Sequence, residues 1–163
     1  MPEARKIRVL FVCMGNICRS PTAEAVFRHA VARAGLSELI ECDSAGTHDY
    51  HVGAPPDQRA QRAALSRGYD MRDLRGRQVG RHDFEQFDHV VAMDHRNLAL
   101  LQSRCPSAYL HKLELFCNFH AEYSGRDVPD PYYGGPQGFE QVLDTLEAVC
   151  ASLVARVRTL SRQ

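Results

Sequence analysis

The sequence predicts an α/β protein of three layers, a twisted parallel sheet with helices on both faces. Three observations carry this. Ile7 to Val12 is rich in β-branched and aliphatic side chains, as expected of a strand buried on both faces. Immediately after it the pattern switches to helical spacing. The same strand-then-helix order then recurs along the chain, which implies parallel strands joined by right-handed crossovers.

The first strand runs from Ile7 to Val12. Ser20 is a good N-cap, Pro21 suits a first helical turn, and Glu24 suits the positive end of a helix. Ala23, Val26, Phe27, Ala30, Val31 and Ala34 follow at helical spacing until Gly35. Leu39 to Asp43 reads as a second strand and Asp57 to Arg67, stopped by Gly68, as a second helix. His89 to Met93 is a third strand, bounded by Asp88 and Asp94, with a helix following to about Ser103. Ala108 to His111 is expected as a short fourth strand. Tyr123 to Gly138 holds three prolines and four glycines and is expected as a loop, before an amphipathic helix from Phe139 to Leu160.

A length of 163 residues suits a single domain spanning residues 1–163. Apolar residues make up 44% and charged residues 25%, as in ordinary globular chains. The 20 basic and 20 acidic side chains cancel, so no global field favours nucleic acid or an anionic membrane, and neither is expected as a partner. The apolar run near the N-terminus is too short for an export signal or a span, and the cytoplasm is the expected compartment. There the six cysteines should stay mostly reduced.

The chemistry is expected in Cys13-Met14-Gly15-Asn16-Ile17-Cys18-Arg19-Ser20, between the first strand and the first helix. Ligands of such sheets sit beyond the carboxyl ends of the strands, where Cys13 falls. Successive N–H groups of the loop can form an anion nest, reinforced by the positive end of the helix. Gly15 and Asn16 allow backbone conformations that other residues avoid. Arg19 offers a planar fork for two phosphoryl oxygens. Positive surroundings favour the thiolate of Cys13, which can attack phosphorus without a metal or a separate base, so no cofactor is expected. The Ser20 hydroxyl can donate to that sulfur. Asp130, held extended by Pro131, is a candidate proton donor to the leaving oxygen, and Tyr132 and Tyr133 can wall a slot for an aromatic group.

Other readings compete. The triphosphate-binding pattern G-x-x-x-x-G-K-[ST] is absent. Cys13 and Cys18 could ligate a structural zinc, although no second ligand pair follows, or Cys13 could simply be a buried strand-end cysteine. His82, His89, His95 and His111 read as surface or strand-end residues, whereas His48 and His51 flank Tyr50 and could touch substrate.

The string from Val12 to Glu24, together with Asp43-Ser44-Ala45-Gly46-Thr47 and Asp130-Pro131-Tyr132-Tyr133-Gly134, resembles the low-molecular-weight protein tyrosine phosphatase family over essentially the whole chain. The resemblance implies a four-stranded parallel sheet, a phosphotyrosine protein as substrate and inorganic phosphate as product. It implies Cys13 as nucleophile, Arg19 as phosphate clamp and Asp130 as general acid. It further implies that Asn16, Ser20 and Ser44 hold the loop, that Tyr132 and Tyr133 line the cleft opposite Tyr50, and that Met14 forms part of the floor. Some relatives carry a histidine just before a stretch like Arg77-Gln78-Val79; here Leu74 stands in that position, which touches only the outer hydrogen-bond network. Two rivals remain: a thiol-dependent arsenate reductase, which shares the fold and the C-x5-R loop but would need a relay through cysteines such as Cys105 and Cys117, and a cysteine phosphocarrier, which also holds phosphate on a cysteine at the end of a first strand but has no use for Arg19 with Asp130. Cys18 is expected to intercept oxidised Cys13 as a disulfide.

Overall fold

Strand β1 (Ile7–Cys13) lies at the centre of the sheet, and its side chains divide by parity. Val9, Phe11 and Cys13 enter one apolar cluster, while Leu10 and Val12 enter a second on the opposite face. Its fully buried part, Val9 to Cys13, must be apolar on both faces, which explains the uninterrupted apolar run there. The computed structural model describes residues 5–161. Helix α1 (Arg19–Arg33) returns along the first face to β2 (Ile40–Gly46). Helices α2 (Gln58–Leu65) and α3 (Arg81–Gln86) precede β3 (His89–Ala92). Then come α4 (His95–Arg104), β4 (Leu113–Leu115) and α5 (Pro136–Ser161).

All four strands are parallel, in the order β2-β1-β3-β4. On the first face α1 and α5 cover Phe11, whose ring meets Phe27 and Phe116 edge-on at 5.4 and 6.0 Å. Replacing so enclosed a phenylalanine by alanine costs about 3–5 kcal/mol. On the second face Phe84 of α3 and Leu101 of α4 cover Leu10 and Val12. The chain leaves β1 toward β2 on one side, then crosses to β3 on the other. The carboxyl ends of β1 and β3 therefore flank the switch point where such sheets bind ligands.

Several elements differ from expectation. Ala108 to His111 is not a strand: it lies in a 3₁₀ helix (Ser107–Lys112), and the fourth strand is the next three residues, which pair Val90 with Leu113. Leu110 is 43% exposed, so its apolar character marked no buried surface, whereas Leu115 is buried. Ser20 is not the N-cap of α1. That position is Cys18, and Ser20 is buried inside the first turn. Helix α5 starts three residues earlier than expected, with Pro136 in the first position, where its missing N–H costs nothing. Helix α3 was not expected at all; the Asp83 carboxylate accepts from the Gly80 N–H at 2.7 Å and closes its first turn. Among the described residues no helix is long and apolar enough to cross a membrane.

Candidate active site

The loop from Cys13 to Arg19 is pinned by its carbonyl groups. The N–H groups of Thr47 and His48 donate to the carbonyls of Cys13 and Met14 at 2.9 and 3.0 Å, and the Asp57 N–H donates to Ile17 at 2.8 Å. With these carbonyls engaged from outside, loop N–H groups are left for the interior, and that of Asn16 points to Cys13 Sγ at 3.3 Å. Gly46 lets β2 approach this closely, since a Cβ there would stand 2.8 Å from the Met14 oxygen. The left-handed residue of the loop is Asn16, at φ 57°. Gly15 serves room rather than dihedral freedom: a Cβ on it would meet the His51 ring at 3.0 Å.

Behind the loop a buried hydrogen-bond chain has a direction that can be worked out. The Asn16 side-chain oxygen accepts from the Arg77 N–H at 3.0 Å, so its amide nitrogen must face the two hydroxyls of Ser20 and Ser44, at 2.8 and 3.0 Å. Ser44 gives its own proton to Glu24 Oε1 at 2.7 Å. Ser20, which already accepts from Asn16, has Cys13 Sγ at 3.0 Å and the Ala45 carbonyl at the longer 3.4 Å. An ionised sulfur has no proton to give, so toward the Cys13 thiolate Ser20 is the donor. Glu24 sits 4% exposed under this chain; burial raises its carboxyl pKa, opposed by hydrogen bonds from Ser44 and from Arg28 at 2.5 Å.

Arg19 is 3% exposed. Its Nη1 donates to Asp94 Oδ2 at 2.7 Å and to the Val128 carbonyl at 2.8 Å, and its Nη2 lies 3.7 Å from Asp130 Oδ2. Burial works against its charge but is outweighed by the Cys13 sulfur, Asp94 and Asp130, so its pKa lies above that of free arginine. Asp94 occupies the switch point: one oxygen caps α4 through the Asn97 N–H at 2.7 Å while the other holds Arg19. Asp130 caps the short 3₁₀ turn Pro131–Tyr133, accepting from the Tyr132 N–H at 3.0 Å.

These groups surround a cavity of about 100 Å³, lined by Cys13, Met14, Gly15, Ile17, Cys18, Arg19, Tyr50, His51, Asp130 and Tyr132. Asn16, Ser20 and Ser44 support the loop from behind and do not line it. Of the two histidines beside Tyr50, His51 lines the cavity, with its ring centre 6.5 Å from that of Tyr132. His48 instead stacks on Tyr50 at 5.0 Å. The Tyr133 side chain lies outside the described residues. Leu74 packs on the core, and the network it does not join is closed by Arg28 and the Arg77 backbone. Neither the hold of Asp94 on Arg19 nor the burial of Glu24 is expected from the sequence; the available signal for Asp94 is an aspartate at the carboxyl end of a buried strand. Among the described residues no group of three or more His, Cys, Asp or Glu is arranged to hold a metal ion, so Cys13 and Cys18 gain no further ligands there for a structural zinc.

The family model for low molecular weight phosphotyrosine protein phosphatase matches residues 8–163. A Streptomyces coelicolor low molecular weight protein-tyrosine-phosphatase is 45% identical, over 93% of this chain and 93% of its own. The crystal structure of a protein tyrosine phosphatase from Entamoeba histolytica superposes with a TM-score of 0.91 at 43% identity, covering 94% of this chain and 98% of that one. A cysteine-to-serine mutant of the YwlE arginine phosphatase, with a phosphorylated active-site serine, superposes at 0.84 with 27% identity, covering 93% and 96%. The chain belongs to the low-molecular-weight phosphotyrosine protein phosphatase family.

Proposed function

We propose that the protein hydrolyses phosphotyrosine and other aryl phosphate monoesters through a phosphocysteine on Cys13. The observation that carries this reading is the convergence of Cys13, Arg19 and Asp130 on one cavity walled by Tyr50 and Tyr132. Arg19 binds two equatorial phosphoryl oxygens, and the loop N–H groups hold the rest. The Cys13 thiolate attacks phosphorus, the P–O bond to the ring breaks, and Asp130 gives its proton to the departing phenolate. Water then attacks the phosphocysteine, Asp130 takes the water's proton, and the S–P bond breaks. Inorganic phosphate leaves, and the thiolate returns to the hydrogen bond from Ser20.

Protein phosphotyrosine in the cytoplasm is the substrate this reading assigns. The likeness to an arginine phosphatase supports a second substrate, phosphoarginine. Yet its guanidinium would find one carboxylate in the cavity, Asp130, among apolar and aromatic walls. The arsenate-reductase alternative needs cysteines that can reach Cys13. Cys105 packs against the face of the sheet opposite Cys13, and Cys117, although in the same apolar cluster as Cys13, is fully buried, with burial pushing its thiol up to about 11.

The test uses Cys13→Ser and Asp130→Asn with three substrates. Cys13→Ser should abolish turnover while still binding inorganic phosphate. Asp130→Asn should lose more kcat/KM on phosphotyrosine peptide than on para-nitrophenyl phosphate, whose leaving group departs nearly unaided. Steady-state hydrolysis by Cys13→Ser, or equal losses in Asp130→Asn, would refute the respective roles. Faster turnover of phosphoarginine than of phosphotyrosine would reassign the substrate.

A further inference from the structure

Asp130 is flanked by two anchors, each two residues away. On one side Val128 donates its N–H to the Met93 carbonyl at 2.8 Å, while its own carbonyl accepts from Arg19 at 2.8 Å. On the other side the Tyr132 carbonyl accepts from Arg59 Nη2 at 3.0 Å. Arg59 belongs to α2, and its guanidinium lies over the rings of both Tyr132 and Phe139, at 5.4 and 5.0 Å. It is gripped in turn by the α2 cap: Asp57 accepts from Arg59 Nε and Nη2 at 3.2 and 3.0 Å. The Asp57 N–H, finally, donates to the Ile17 carbonyl of the phosphate loop. An unbroken path thus runs from the loop carrying Cys13, through Asp57 and Arg59, to the backbone that orients the Asp130 carboxylate through the Tyr132 N–H.

We infer that Asp57 and Arg59 form a positioning pair that sets the reach of Asp130 toward the leaving oxygen. The inference rests on Asp130 being the proton donor. Were Arg59 only a packing residue, its loss would weaken every substrate alike. As a strut for the acid, its loss affects substrates in proportion to their need for a proton, because the cradle for the phosphoryl group is built by other residues. Displacement of a catalytic group by about 1 Å can cost as much as 10²-fold in rate, and Arg59 acts on the acid's loop at a single carbonyl, so roughly tenfold is expected.

The experiment compares kcat/KM, which covers steps through phosphocysteine formation, on phenyl phosphate and para-nitrophenyl phosphate. Arg59→Met keeps an unbranched apolar stem between the two rings but removes the fork. Asp57→Asn keeps a competent helix cap but removes the ion pair. Both should lose roughly tenfold on phenyl phosphate and under about threefold on the nitrophenyl ester, with inhibition by inorganic phosphate unchanged. Neither should add to the loss already present in Asp130→Asn, since residues acting through one group are not additive. Equal loss on both esters, or full additivity with Asp130→Asn, overturns the inference. If Asp130→Asn itself discriminates between the esters and Arg59→Met does not, the strut alone fails. If Asp130→Asn does not discriminate, the acid assignment fails first and the inference falls with it.

Discussion

Asp94 performs two tasks with its two oxygens, and paired substitutions can separate them. One oxygen caps α4; the other holds Arg19. Asparagine caps a helix as well as aspartate does, so Asp94→Asn keeps the first task and weakens the second. The Arg19 guanidinium is 3% exposed and the Asp94 carboxylate 16%, a geometry in which losing one partner of an ion pair costs about 3–5 kcal/mol. The Val128 carbonyl and the nearby Asp130 remain, so a hydrogen bond to a charged group, about 2 kcal/mol, is the better figure for Asp94→Asn. Asp94→Ala adds the lost cap, about 1 kcal/mol. At about 2–4 °C per kcal/mol for a chain of this size, the midpoints should fall by roughly 4–8 °C and 6–12 °C. Turnover should fall too, by about 10²-fold in kcat/KM, because an unheld guanidinium is misaimed. The counter-argument is electrostatic: removing a negative charge beside a phosphate site should tighten phosphate binding. Thermal melts with steady-state kinetics decide between them. Tighter phosphate binding with turnover unchanged would show that the charge of Asp94, not its aim on Arg19, governs the site.

Arg19→Lys should lose about 10²–10³-fold or more in kcat/KM, since lysine keeps the charge but not the fork that engages the phosphoryl group, Asp94 and Val128 together; near-normal turnover would refute bidentate binding. Peroxide should inactivate the enzyme reversibly through a Cys13–Cys18 disulfide, with Cys18→Ser recovering far less activity after dithiothreitol, and a non-reduced digest of oxidised wild type lacking the linked peptide in its mass spectrum would refute it. Burial first, then Asp57, the Cys13 sulfur and Asp130, push the Cys18 thiol well above the ordinary range, so this disulfide should form faster as pH rises. Burial raises the Glu24 carboxyl in the native state, so the native protein binds its proton more readily than the unfolded chain. Relative to Glu24→Gln, wild-type stability should therefore fall as pH rises from the unfolded carboxyl pKa through the raised native one, which urea midpoints between pH 4 and 7 would measure.

The parts of the fold that depend on local sequence were legible, and those that depend on distant partners were not. β1 is unmistakable because burial on both faces demands the apolar run from Val9 to Cys13, and the loop after it is short enough for Cys13, Asn16 and Arg19 to be read together. Asp130 stood out through the proline that follows it. Asp94 did not, because an aspartate before a helix already has a sufficient local reason to be there, and its second partner lies 75 residues away. β4 failed for a related reason. A three-residue strand carries no periodicity, and the apolar Ala108 to His111 segment drew attention from the residues that pair with β3.

Glu24 shows the same limit at the scale of the site. One turn into a helix, a glutamate is sufficiently explained by the helix dipole, and nothing local announces that β2 will bury it. Once β2 closes over α1, the carboxylate needs donors, and it finds Ser44 across the sheet edge and Arg28 one turn along its own helix. The chain thus does not leave the carboxylate bare; it neutralises it from the half-exposed end of Arg28. The consequence reaches the sulfur. Glu24 fixes the direction of the Ser44 proton, Ser44 and the Arg77 N–H fix the Asn16 amide, and Asn16 leaves Ser20 its proton for Cys13. The hydrogen bond to the nucleophile is therefore set by a buried charge that the sequence presents as an ordinary helix residue.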